Sequence, residues 1–228
     1  MPSNQLNIPI LYQDDSFAVV SKPSGLLVHR TCESQDRVYL LQTLSRQLDK
    51  YVYPIHRLDR ATSGLIVFAF SSEDAAALAT QLQQGNWHKE YIAFVRRATP
   101  TSWESNRTLT SDKKVRQVAH TQFERLATFF RSSLIKAIPS TGRRHQIRRH
   151  LAHDAHQIIG DTSYGKGRIN QFFRENYGLP RLFLHAWHLE FPHPKTGQII
   201  RLVDPLPEDL RQFLLRLPEC PKELINTL

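Results

Sequence analysis

The sequence predicts a single α+β domain over residues 1–228, built on a mainly antiparallel mixed sheet flanked by helices and loops. Segments with strand-like alternation outnumber those with helical spacing. Several of these strands are joined by hairpin-length turns, and no shift in composition marks a second domain.

In chain order, SFAVVSKPSGLLVHR reads as strand, turn, strand, with Pro23 and Gly25 supplying the turn. Val38, Leu41, Leu44 and Leu48 then recur at helical spacing. Leu65 to Phe70 is an unbroken apolar run that reads as a buried strand. Ser71 with Asp74 resembles a capping box; Ala75, Leu78, Ala79 and Leu82 share the helical face behind it, and Gly85 stops the helix. HKEYIAFVRR alternates as a strand, and the polar stretch 98–118 reads as a surface loop or flap. Strand-like segments follow near 119–129 and 132–138. STGRRHQIRRHLAHDAH reads as a turn into a short helix beginning near Gly142, with Ile147 and Leu151 on one side. RLFLHAWHLEF alternates, HPKTGQ turns and IIRLV returns as a hairpin. Pro207 opens a last helix with Leu210, Phe213, Leu214 and Leu217 inward.

The formal charge of +9, a pI near 9.8 and eleven histidines favour a polyanionic partner. Nucleic acid and an anionic membrane surface both qualify. No apolar run approaches the roughly 20 residues of a membrane span, and the first thirty residues lack the basic head and apolar block of a signal peptide. The expectation is a cytoplasmic protein with no membrane partner and no obligate protein partner. Cys32 and Cys220 show no metal-ligand spacing and are too few for a disulfide framework. With no zinc spacing, P-loop or dinucleotide fingerprint, neither a cofactor nor a metal is expected.

The segment YPIHRLDRATSGLIVFAF carries one acid, Asp59, between Arg57 and Arg60 and just before the buried strand. In an extended chain Arg57 and Asp59 share a face while Leu58 points to the core. An isolated Arg-Leu-Asp-Arg reads first as a structural ion pair. The alternative is a paired carboxylate held ready as a nucleophile or as a stabiliser of positive charge on a sugar. Tyr91, alone, reads as half-buried strand packing. The run Arg143, Arg144, His145, Arg148, Arg149, His150, His153 and His156 admits a solvated charged face, phosphate contact, or metal ligation at His150, His153 and His156. The metal reading is the weakest, because that spacing wraps off one helix face. Phosphate contact by Arg143, Arg144 and Arg149 fits the basic balance best. Asp161 reads as a turn-capping structural acid, and His185 as packed in or near the sheet.

HRLDRATSGLIVFA resembles the signature of the RluA-type pseudouridine synthase family. VVSKPSGLLVH, KEYIAFV, TGRRHQIRRHLA with IIGDTSYG, and RLFLHAWHLEFPHPKTG are similar to its other motifs, so the resemblance covers most of the chain. It implies the pseudouridine synthase fold and a cofactor-free enzyme that detaches uracil from its ribose, turns it and rejoins it through carbon. It makes Asp59 the catalytic aspartate and Tyr91 the active-site tyrosine. Arg148 becomes the basic partner of the carboxylate, and Arg57 the arginine that enters the space of the flipped base. The first motif begins by residue 17, so no separate amino-terminal RNA-binding module is expected. Arg30, Arg149, His153 and the insertion NQFFRENYGLPRLFLHA are similar to a branch that modifies uridine 65 of tRNA. Arg97, where the family usually has glycine, and a short 98–140 segment depart from that pattern. Ribosomal RNA as target, a non-catalytic RNA-binding protein on the same fold, and a metal-free ribonuclease using His145 and His150 stand as the alternatives.

Overall fold

A computed structural model of the chain describes residues 6–30, 34–129, 131–218 and 220–228. Cys32 lies outside them. The elements run β1 (Ile10–Gln13), β2 (Phe17–Lys22), α1 (Leu40–Leu48), β3 (Tyr53–Pro54), β4 (Ser63–Ala69) and α2 (Ser72–Gln83). Then come β5 (His88–Arg96), β6 (Ser102–Ser105), β7 (Leu109–Thr110), β8 (Arg116–Gln117), β9 (Thr121–Phe129), β10 (Ser132–Pro139) and α3 (Gln146–His153). The chain closes with α4 (Gly167–Tyr177), β11 (Leu184–Pro192), β12 (Ile199–Val203), α5 (Glu208–Leu215) and α6 (Lys222–Thr227). No helix among the described residues is long and apolar enough to cross a membrane.

The chain divides into two compact units, one of residues 1–87 with 188–204, the other of residues 88–187 with 205–228. In the first, β2 pairs antiparallel with β1 and with β4, where Phe17 faces Ala69 and Lys22 faces Gly64. The end of β11 pairs antiparallel with β12. Phe17, Val19, Leu65, Val67, Leu78, Trp87 and Phe191 form the core, with the Trp87 and Phe191 rings stacked at 4.4 Å. Ser71 caps α2 by accepting from the Asp74 N–H at 3.0 Å, and Gly85 ends the helix at φ 80°. In the second unit β10 lies between β5 and β9, and β6 extends the sheet beyond β9, all antiparallel. Phe94, Phe129, Phe173, Phe183 and Phe213 pack as an aromatic cluster.

Three differences from the sequence expectation, and one departure from the family pattern, have physical causes. The strand expected after Gly25 is a single bridge, Leu27 to Tyr39, because the Leu27 and Val28 carbonyls accept from Leu40 and Leu41 N–H and thereby cap α1. Val38 consequently lies outside α1 and is exposed, and Leu40 and Leu44 are the helix residues that are buried. The polar stretch 98–118 holds β6 and the β7–β8 hairpin, pinned by the Trp103 ring stacked on Phe123 and by buried Leu109. Arg97 has φ 70°, the left-handed region where glycine costs nothing and another residue about 1–2 kcal/mol. That is why glycine suits the position in the family pattern.

Candidate active site

In the first unit, alternation along β2 puts Lys22 on the face of Ala18 and Val20, and all three are fully buried. A buried ammonium needs acceptors. Lys22 Nζ donates to the carbonyls of Pro23 at 2.9 Å, Leu26 at 2.8 Å and Arg60 at 3.2 Å. The Arg60 carbonyl also accepts from the Gly25 N–H at 2.7 Å, which Gly25 presents at φ 86°. Ser24 Oγ donates to the Ala61 carbonyl at 2.7 Å, and Arg60 Nε donates back to the Gly25 carbonyl at 3.0 Å. Lys-Pro-Ser-Gly therefore grips the two residues after Asp59. On the other side Leu58, 5% exposed, plugs the core. Between these anchors the Asp59 carbonyl accepts from the Thr62 N–H at 3.1 Å, closing the turn. Asp59 is half-buried and Arg57 exposed, as the alternation around Leu58 requires.

Ser21, one residue before the buried lysine, donates to Asp204 at 2.5 Å. Asp204 is buried, and burial pushes its carboxyl up to about 6 against the lowering effect of that hydrogen bond.

In the second unit, Tyr91 is half-buried on β5 opposite Ala137 of β10. Lys89 shares its face two residues earlier, and burial lowers the lysine's pKa. Helix α3 starts at Gln146, not near Gly142. The reason is the Gln146 amide. Its oxygen accepts from the Arg143 N–H and Thr141 Oγ1, and its nitrogen donates to the His120 carbonyl, so 141–145 folds as a turn.

Arg148, 7% exposed, makes a bidentate pair with Asp161: Nε to Oδ2 at 2.8 Å and Nη2 to Oδ1 at 2.9 Å. Asp161 is the acid read as a turn cap, and it caps as well, accepting from the N–H groups of Ser163 and Tyr164. Burial raises its pKa, but the Arg148 bonds and the two amides outweigh that and hold the carboxyl below the usual range. The Tyr164 ring lies 5.1 Å from the Arg148 guanidinium carbon, and its hydroxyl hydrogen-bonds His145 Nδ1 at 3.0 Å.

The arginines expected on phosphates hold the β7–β8 hairpin. Arg143 Nε donates to the Val118 carbonyl and Arg149 Nη1 to the Thr110 carbonyl, each at 3.0 Å, and Arg144 pairs with Asp112. His150 is fully buried, with Nε2 on the Arg107 carbonyl and Nδ1 on Thr121 Oγ1, and burial depresses its pKa. His156 Nδ1 bonds the Arg96 carbonyl. With both ring nitrogens engaged, His150 fits neither the metal trio with His153 and His156 nor the ribonuclease pair with His145. Lys113, Lys114 and Arg116, at and beside the hairpin tip, are exposed. His185 is fully buried in β11.

Sequence reading missed the cage around Lys22, although the signal was present: alternation from Ala18 and Val20 points that lysine inward. The Arg148–Asp161 pair had no such signal, because it forms between a helix and a loop.

The model of the family described as RNA pseudouridylate synthase matches residues 16–153. A Vibrio vulnificus protein named tRNA pseudouridine synthase C is 39% identical, over 96% of this chain and 98% of its own. A Haemophilus ducreyi protein of that name is 39% identical over 86% and 90%. The solved structure of human RNA pseudouridylate synthase domain containing 4 superposes with a TM-score of 0.78 at 26% identity, over 92% of each chain. That of human domain containing 1, at 20% identity, shares the fold with a TM-score of 0.76.

Proposed function

Because the chain belongs to the RNA pseudouridylate synthase family, we propose that Asp59 is its catalytic carboxylate and that its substrate is a uridine of tRNA, met in the cytoplasm. The protein is an RNA pseudouridine synthase, an isomerase. The bond from C1′ to N1 of uracil breaks, the base turns, C1′ bonds to C5, the C5 proton leaves and N1 takes up a proton in its place. Nothing is oxidised, and the RNA keeps its length.

The observation that carries the reading is the turn around Asp59. Its main chain is fixed on both sides while the acid stays half-buried, so a carboxylate is held in place without being sealed in the core. Asp59 then attacks the sugar or base, or assists departure of uracil. Arg57, exposed beside it, is the residue we assign to the space of the flipped nucleotide, where a planar guanidinium can stack and hydrogen-bond. Tyr91 is assigned to stacking on uracil and to proton transfer at C5. Arg148 is assigned to charge balance for the catalytic carboxylate. Arg143, Arg144 and Arg149 support RNA binding by setting the hairpin whose exposed lysines face solvent. Both units supply assigned residues, and the family match draws on both, so we read residues 1–228 as one catalytic domain. The tRNA target, in the class of uridine 65, rests on the relatives' name.

The test uses purified protein with unmodified tRNA and with ribosomal RNA fragments, each tritiated at uracil C5. Tritium release from tRNA, with one pseudouridine mapped in its stem, is the expected result. Release from ribosomal fragments alone would overturn the tRNA assignment.

A further inference from the structure

We propose that Asn170, on α4, is a positioning residue for the reaction, fixing the Asp161 turn and through it the Arg148 guanidinium. This rests on the role proposed for Arg148. Asn170 is 8% exposed and uses its whole amide on one stretch of backbone: Oδ1 accepts from the Gly160 N–H at 2.8 Å, and Nδ2 donates to the Asp161 carbonyl at 2.8 Å. These bonds bracket the Gly160–Asp161 peptide unit, and Asp161 then presents its carboxylate to Arg148 through two further bonds.

The turn has no slack with which to replace the amide. A Cβ on Gly160, at φ +84°, would stand 2.2 Å from the Arg181 carbonyl oxygen. One on Gly165 would stand 2.2 Å from the Asp161 carbonyl oxygen and 3.1 Å from Asn170 Nδ2. The turn is thus squeezed from two sides and held on the third by Asn170. The helix has its own anchor three residues on, where the Phe173 ring meets Phe94 at 5.6 Å and Phe213 at 6.0 Å. Losing the Asn170 amide therefore frees the turn without unseating α4. The segment that reads in sequence as an insertion reaches the chemistry through one side chain.

The experiment compares single-turnover rates and RNA dissociation constants for the parent, Asn170→Asp, Asn170→Ser, Arg148→Lys and Asn170→Asp with Arg148→Lys. Asn170→Asp keeps the acceptor for Gly160 and removes the donor to Asp161; Asn170→Ser shortens the side chain and withdraws both bonds without added charge, and serves if the aspartate variant fails to fold. The expected result is a rate lowered roughly 10- to 100-fold with RNA affinity nearly unchanged, since misplacing a reacting group by about 1 Å costs that much. Asn170→Asp should add little once Arg148 is lysine, because the effect travels through the guanidinium. A parental rate in both Asn170 variants, or an equal loss in both Arg148 backgrounds, would overturn the proposal while leaving Arg148's role intact. A parental rate in Arg148→Lys would instead overturn that role.

Discussion

The turns at Asp59 and at Asp161 solve opposite problems with the same residue type. Asp161 is 1% exposed, and its carboxylate takes four donors: two from Arg148 and the N–H groups of Ser163 and Tyr164. Asp59 is half-buried, and its turn is fixed through main-chain carbonyls at positions 59, 60 and 61, gripped from Lys22, Ser24, Gly25 and Thr62. Asp161 is held through its carboxylate, and the turn at Asp59 is held through its main chain. A carboxylate committed to structure gathers donors, whereas a turn gripped through its main chain fixes where its side chain starts without enclosing it.

The sharpest way to break this contrast is Asp59→Asn. Pseudouridine formation should fall by on the order of 10⁴-fold or more, as for loss of a catalytic nucleophile, with an unchanged melting curve and retained RNA binding. A normal rate would place Asp59 with the structural acids. Asp161→Asn should strike stability, costing about 3–5 kcal/mol because it weakens the pairing of a buried guanidinium; denaturant titration reads that loss, and the rate should fall as well because Arg148 loses its seat. Its pH dependence has a definite sign. The folded pKa lies below the unfolded value, so the stabilisation is present above the unfolded pKa and is lost as pH falls through the folded one. The parent should lose more stability than the asparagine variant on acidification.

Lys22→Met tests the backbone grip. It strips a donor from buried carbonyls, at about 1–3 kcal/mol for each group left unsatisfied, and the rate should fall further than stability accounts for, since the turn at Asp59 loosens. An unchanged rate per folded molecule would separate the cage from the chemistry. The smallest expected effect belongs to Asp204, a third acid, held by Ser21. Its folded pKa of about 6 is above the ordinary value of 3.8, so the folded state binds the proton more tightly. Stability from this group is fully present below the unfolded pKa and lost as pH rises through about 6. Asp204→Asn should therefore be more stable than the parent at pH 8, by up to about 3 kcal/mol, with the difference vanishing near pH 4. Melting curves across that range decide it.

Much of the fold was legible because local rules and tertiary packing agree. Strand alternation located β5, β9 and β10, the cap at Ser71 and the stop at Gly85 bounded α2, and Gly197 at φ 71° made the β11–β12 turn. Reading failed where distant partners decide. Leu27 and Val28 are strand-like residues whose carbonyls serve α1, and Gln146 draws 141–145 out of the helix with bonds that no spacing announces. The polar stretch 98–118 concealed short strands because its order comes from Trp103 on Phe123 and from arginines in α3 and the turn before it. In the candidate site, Asp59, Tyr91 and Arg148 stood in motifs, and motifs are local. Asn170 and the link from Arg148 to Asp161 were invisible because both join residues across a loop.

The ammonium under the Asp59 turn amounts to an ion that cannot leave. Salt strips a protein from RNA by exchanging mobile counterions for side chains, and it shields exposed charges over roughly 10 Å at 0.1 M. A cation tethered by four methylenes and sealed from water escapes both effects. Raising ionic strength should accordingly loosen the grip on the nucleic acid long before it disturbs the carboxylate's seat, so occupancy and turnover respond to salt as separate quantities.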